Sequence, residues 1–378
     1  MREAATWGCL LFDDPGFCQP RLLNHPNQRI DEIARFAPTL RASQPAQGIA
    51  LKRTTSLLKL LNASFTNCIK DYAIIDRVLS FLIIGDWGHK GTPGQLAVAH
   101  GMTQVAKRLQ CRFVVTTGDN FYDGVTGLHD PHWQESFETV YDASALQISW
   151  YAVLGNHDYQ GCVQAQLDYV HVSRRWRLPA RYYAVEKAID ATTSALLVFL
   201  DTSPFLSSYH ADGPEYIENL RGQDAESQLT WLQITLAKSK AKWKLVFGHH
   251  PIYSASPFHG NTVELQHHLL PILHAHRVQA YICGHEHDLQ HLVADGIDYF
   301  VSGAGADCRE SGFCGASRYS VSKLGFGAVS LTRDSLQIEF YDADGVCLYD
   351  AVKHLSPLTD TLPVSVDGHQ CRVLRLKT

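Results

Sequence analysis

Five times along this chain a short apolar run ends in glycine and passes directly to a residue type that binds metals: FLIIGDWG (81–88), FVVTTGDNFY (113–122), WYAVLGNHD (150–158), KLVFGHHP (244–251) and AYICGHEH (280–287). Each run is rich in Val, Ile, Leu and Phe, is short, and lacks helical periodicity, so it reads as a buried strand. The glycine lets the backbone turn sharply, and the Asp, Asn or His that follows then projects from the carboxyl end of the strand, where open α/β sheets build their sites. Five strand ends are therefore expected to deliver ligands to one place.

The residues so delivered are Asp86, Asp119, Tyr122, Asn156, His249, His285 and His287. They are too many for one tetrahedral zinc, and no cysteine is among them. Two adjacent ions fit better, because a carboxylate bridges cations held about 3.5–4 Å apart, and such a pair clamps a phosphoryl group and lowers the pKa of a bound water. Asp119 is the expected bridge. Any one block has an ordinary explanation, since Gly-Asp after a strand is often only a turn and Asn-His only a capped loop; five in order do not.

With GDWG, GDNFY, GNHD, GHHP and GHEH in this order, the chain resembles the calcineurin-like metallophosphoesterases, and within them the low-molecular-weight purple acid phosphatases of the tartrate-resistant and plant-like type. The resemblance continues through GNHDYQG with AQL (155–167), DTSPF (201–205), HGNT (259–262), GHEHDLQH (284–291) and SGAGA (302–306), and covers about residues 76–355. Ordinary members of the superfamily open with Asp-x-His; here Gly88 stands at that position and Tyr122 lies three residues after Asp119. Phenolate and carboxylate are hard anionic donors that suit a ferric ion, whereas Asn and imidazole suit a divalent one.

The resemblance implies Asp86, Asp119, Tyr122 and His287 around Fe(III), and Asp119, Asn156, His249 and His285 around a divalent Fe, Zn or Mn. His89 is close by at the wrong spacing for Asp-x-His. With a bridging hydroxide counted in, the site would carry roughly one positive charge, which favours a phosphate dianion. The implied activity is that of an acid phosphatase, in which a metal-bound hydroxide attacks phosphate monoesters. His157 would be the acid for the leaving alcohol, Asp158 its orienting partner, and His259 a second substrate-side histidine. Activity is expected to fall as these histidines lose their protons. The role of His250 is open, and His291 reads as packing or an outer partner. The alternatives are a phosphodiesterase on the same scaffold and a non-hydrolytic iron or redox protein.

Helical patterns occupy 94–109, 132–142, 227–240 and 263–276, and after AYICGHEH the chain turns β-rich, with Asp-Ala-Asp-Gly (342–345) as a hairpin turn. Parallel βαβ units followed by antiparallel strands suit the four-layer α-β-β-α sandwich that the resemblance implies, two mixed sheets flanked by helices. His267, His268, His274 and His276 share one predicted helix without an acidic partner at ligand spacing, and read as surface.

With 378 residues, 45% hydrophobic and 19% charged, the chain can bury a large core. A net charge of −5 without a basic stripe argues against nucleic acid, and no apolar stretch reaches transmembrane length. The expected partners are small phosphorylated substrates, with the protein a monomer. Residues 1–75 stand apart: no acidic residue lies between Glu32 and Asp71, while Arg35, Arg41, Lys52, Arg53, Lys59 and Lys70 are basic, so this extension reads as transit-like or disordered. Residues 356–378 read as a tail. The resemblance suggests a secreted or vacuolar protein, though no clean signal peptide is visible; organellar or cytoplasmic residence is the alternative. Cys308 and Cys314 are the best local disulfide candidates.

Overall fold

The computed structural model describes Leu10–Leu11 and residues 78–211 and 218–355. In chain order the strands are β1 (Leu10–Leu11), β2 (Leu79–Ile84), β3 (Phe113–Thr116), β4 (Ser149–Ala152), β5 (Trp176–Arg177), β6 (Tyr183–Ala188), β7 (Ser194–Phe199), β8 (Trp243–Phe247) and β9 (Ala280–Cys283). They continue with β10 (Leu289–Ala294), β11 (Ile297–Ser302), β12 (Ser317–Val321), β13 (Gly325–Leu331), β14 (Ser335–Asp342) and β15 (Cys347–His354). The α-helices are α1 (Pro93–Leu109), α2 (Val163–Asp168), α3 (Ala225–Lys238) and α4 (Val263–Ala275). Among the described residues no helix is long and apolar enough to cross a membrane.

Two mixed sheets form, one in the order β1-β6-β7-β8-β9-β11-β10-β12 and the other β15-β14-β13-β2-β3-β4-β5. Aromatic rings from the two sheets meet between them: Phe81 of β2 lies 6.4 Å from Phe247 of β8, and Tyr151 of β4 lies 5.9 Å from Phe199 of β7. Helix α1 covers the outer face of one sheet with Val98, Met102 and Val105. Helices α3 and α4 cover the other, packing Leu232, Leu236, Leu269 and Leu273 against Val198, Val246 and Tyr281. Strands β2, β3, β4, β7, β8 and β9 are buried on both faces, which is why their sequences are nearly continuous apolar runs instead of alternating ones. The layers are α-β-β-α, as the sequence implies.

Within 1–75, Leu10–Leu11 pair with β6 in parallel; the rest of that extension and the 356–378 tail lie outside the described residues. The 132–142 segment does not become an α-helix. Only a single π-helical stretch forms, Trp133–Glu138, because the carbonyls that would continue it are taken elsewhere. The Gln95 amide donates to the Ser136 carbonyl (2.7 Å), and the Arg175 guanidinium donates to those of Glu138 (3.4 Å) and Tyr141 (2.6 Å). The 342–345 turn forms, its Asp342 carboxylate accepting from the Asp344 and Val346 amides at 3.1 and 2.9 Å. His291 is packing: it bonds Asp298 (2.8 Å) in its own sheet and the Tyr349 hydroxyl (3.0 Å) in the other, tying the two together. No disulfide is present among the described residues, and Cys308 and Cys314 are not joined to each other, one being exposed and one buried.

Register sets the site. Strands β2, β3 and β4 are parallel neighbours aligned through Leu82, Val114 and Trp150, and β8 and β9 are parallel neighbours aligned at Leu245 and Ala280. The carboxyl ends within each group therefore emerge together.

Candidate metal centre

All seven residues that follow these strand ends converge. Around one point, the His249 Nε2 lies 2.9 Å from the Asn156 Oδ1, the His285 Nδ1 lies 3.0 Å from the same oxygen, and the two ring nitrogens are 3.2 Å apart. Asp119 joins this group, with its Oδ1 3.4 Å from the His249 Nε2. Around a second point the Tyr122 hydroxyl lies 2.8 Å from the His287 Nε2, which is 3.6 Å from the Asp86 Oδ1. Asp86 and Asp119 also share a ligand-sized cluster with His249, which makes one continuous centre. The His249 Nδ1 faces the Thr117 carbonyl at 2.9 Å; donating there leaves the lone pair of Nε2 aimed at the centre.

The donor set fits two cations. Asp86 is fully buried, and its Oδ1 has no hydrogen-bond partner among the described residues. A buried anionic oxygen left so is costly unless a cation meets it. Burial and the charge of Asp119 push the Asp86 carboxyl well above its usual range, and burial, with Asp86 and Asp119, pushes the Tyr122 phenol far up. Only a compensating positive charge would hold both as anions. Burial lowers His249 and His285, and burial with the Arg309 charge lowers His287 to about 4, so the three imidazoles are neutral with lone pairs available.

The glycines act differently from the expectation drawn from the sequence. Asp86, Asp119 and His285 are themselves in the left-handed region, with φ of 57°, 50° and 70°. Of the glycines just before them, only Gly118 has a positive φ. Gly284 and Gly155 serve close approach: a Cβ on Gly284 would overlap the Asp86 carboxylate, and one on Gly155 would overlap that of Asp119. Each strand end leaves room for a ligand of the adjacent one.

His157 stands at the open side with its side chain 31% exposed, its Nε2 4.0 Å from the Asp119 Oδ2 and its ring 4.4 Å from that of Tyr122. His89 packs against the Tyr122 ring, 3.8 Å between ring centroids, so it contacts the site, although it stands outside the group of seven. Asp158 does not orient His157. Its buried carboxylate accepts from the amides of Gly155 (2.8 Å), Asn120 (3.2 Å) and Phe121 (3.1 Å) and from the side chains of Asn120 (3.0 Å) and Gln166 (2.9 Å). It therefore ties the Asp119 loop to the Asn156 loop. The His157 Nδ1 instead meets the Gln160 Oε1 at 3.2 Å.

Asp158→Ala, which leaves those donors without an acceptor, should lower stability by about 3 kcal/mol or more and weaken metal retention. Thermal melting and metal content check this; unchanged melting with losses confined to poor leaving groups would restore the orienting role.

His259 lies beside the converging residues, its ring 4.2 Å from that of His285. Its holder, Glu286, sits between two expected ligands in GHEH and was not singled out by the sequence reading. The buried Glu286 carboxylate lies 3.2 Å from the His259 Nδ1 and accepts from the amides of His259 (3.3 Å) and Gly260 (2.9 Å). Burial alone would raise its pKa, but His259, Ser256 and the Gly260 amide hold it below the usual range. His250 falls in a ligand-sized cluster with His249 and His285, yet both its nitrogens face hydroxyls, Thr202 at 2.8 Å and Tyr209 at 2.9 Å. That pairing makes it a brace behind the ligands.

Comparison with known proteins gives a match to the calcineurin-like phosphoesterase family over residues 79–289. "Purple acid phosphatase 3" of Arabidopsis thaliana is 38% identical over 311 residues, 78% of this chain and 81% of that protein. "Tartrate-resistant acid phosphatase type 5" of Sus scrofa is 33% identical over 304 residues, covering 72% of this chain and 86% of the relative. Among solved structures, GAP50, described as the anchor in the inner membrane complex of Plasmodium, superposes with a TM-score of 0.66 at 26% identity, over 74% of this chain and 90% of that one.

Proposed function

Because the chain belongs to the calcineurin-like phosphoesterases and, within them, to the purple acid phosphatases, it is a phosphatase, and we propose that it hydrolyses phosphate monoesters at a dinuclear Fe(III)–M(II) centre, M being Fe, Zn or Mn. The observation that carries the reading is the pairing of the Tyr122 hydroxyl with His287, 2.8 Å apart, beside the buried Asp86 oxygen that has no hydrogen-bond partner among the described residues. A phenol placed among carboxylates suits a ferric ion.

In this reading Asp86, Tyr122 and His287 would hold Fe(III), Asn156, His249 and His285 would hold the divalent ion, and Asp119 would join them. When bound, the pair supplies positive charge for the phosphoryl oxygens and activates the attacking water. The chain's own residues do the rest. His157, half-buried at the open side, is placed to give a proton to the leaving oxygen, with its Nδ1 fixed by Gln160. His259, anchored through Nδ1 to Glu286, keeps Nε2 for a phosphate oxygen. Both act as proton holders on the substrate side.

Elemental analysis with a visible spectrum of the purified protein tests the centre directly. The oxidised protein should be purple, through charge transfer from the Tyr122 phenolate to Fe(III). Tyr122→Phe should bleach the colour and leave the fold intact, because the ring keeps its stacking with His89 and His157 and only a hydroxyl is removed. A colourless, fully active wild type holding only zinc or manganese would overturn the Fe(III) assignment.

A further inference from the structure

The segment joining β11 to β12 is pinned beside the centre. The Arg309 amide donates to the carbonyl of His287 (2.8 Å), the Arg309 carbonyl accepts from Ser322 Oγ (2.5 Å), and Ser311 Oγ donates to the buried Asp288 (2.7 Å). A Cβ on Gly312 would overlap the Ala255 carbonyl, so this segment also lies tight against the residue 254–260 loop. The backbone that carries Arg309 is thus fixed at both sides of the residue.

Its side chain has no conventional employment. Among the described residues no carboxylate lies within ion-pair distance of the guanidinium, which rests over the ring of Phe258 at 5.4 Å from the centroid. Phe258 is 56% exposed and directly precedes His259. The Arg309 charge is felt at Asp86, His89, Tyr122 and His287. Arg309 therefore reaches from the His287 side of the site to the His259 side, along its rim. The candidate metal-holding residues Asp86, Asp119, His249 and His287 are buried, whereas Arg309 is part-exposed on an exposed ring, so its guanidinium is available to what is attached to the reacting group. A planar, always-charged fork of donors, pre-organised by stacking, recognises carboxylate or phosphate.

We propose that Arg309, held on Phe258, is a specificity-determining residue that binds a second anionic group on the leaving-group side of the substrate, so that phosphate monoesters carrying a further carboxylate or phosphate are the preferred class. This rests on the monoester reading of the site. The test compares phenyl phosphate with 3- and 4-carboxyphenyl phosphate, which share a ring and differ by one anion. The wild type should prefer a carboxylated ester. Arg309→Ala should lose about 10- to 100-fold in kcat/KM on that ester, chiefly through KM, and change phenyl phosphate by less than about 3-fold. Arg309→Lys should recover part of the preference, because a point charge replaces the fork.

Equal losses on both esters would assign Arg309 to the reacting phosphoryl group or to loop integrity and overturn the inference, as would an unchanged preference. No turnover of any of these esters by the metal-loaded wild type would sink the monoester reading itself. Turnover of phenyl phosphate with a preference indifferent to Arg309 sinks the inference alone.

Discussion

Asp119→Asn is expected to cut phosphate-ester hydrolysis by on the order of 10³-fold or more and to lower the bound metal. The carboxylate is 1% exposed, within 3.4 Å of the His249 Nε2, and belongs to the one cluster that also includes Asp86. The Asn side chain has nearly the same shape and keeps an oxygen for the His157 amide, which now donates to Asp119 at 2.9 Å, so the fold should survive. What is removed is the charge that two cations would share. Asn156→Ala and His249→Ala should behave differently, mainly depleting the divalent position while the tyrosinate colour persists. Metal analysis and rate are read together. Unchanged content and turnover in Asp119→Asn would overturn the dinuclear reading.

The second large effect concerns the proton. His157→Ala should keep both metals, since it is the backbone amide of His157 that bonds Asp119. It should lose on the order of 10²–10⁴ in rate on alkyl phosphates, with a smaller loss on nitrophenyl phosphate, whose leaving group needs little protonation. The imidazole is well placed for that selectivity, partly exposed and in contact with the Tyr122 ring. Equal losses for the two leaving groups would argue against a general acid.

The convergence of the seven candidate residues was legible because each follows an apolar run, so the local pattern states both the strand and the point at which it ends. The layer order was legible for the same reason: continuous apolar runs demand cover on both faces, and the helical segments at 94–109, 227–240 and 263–276 supply it. Asp158 misled because adjacency in sequence says little about direction on a tight turn. Residues His157–Gln160 form a 3₁₀ turn, on which a residue three positions on lies above the first, and that brings Gln160, not Asp158, to the imidazole. Glu286 was hidden by its neighbours, its role depending on His259 and Gly260, 27 and 26 residues earlier. The segment 132–142 carries a helical pattern, but its carbonyls are claimed by Gln95 and Arg175 from other elements, which no local window shows. Arg309 lies in a loop without periodicity, and only the tertiary contacts with Phe258 and His287 mark it out.

The close packing of strand ends enlarges the genetic target of the centre. Besides the seven converging residues, Gly118, Gly155, Gly284 and Gly303 each stand where a single added methyl would collide with the side chain of His249, Asp119 or Asp86. A Gly→Ala change, among the mildest substitutions in an ordinary loop, is here equivalent to damaging a ligand. A lineage that no longer needed hydrolysis would therefore be free to drift at the glycines as readily as at the ligands. Loss of activity in a descendant should be as legible in its missing glycines as in its missing histidines.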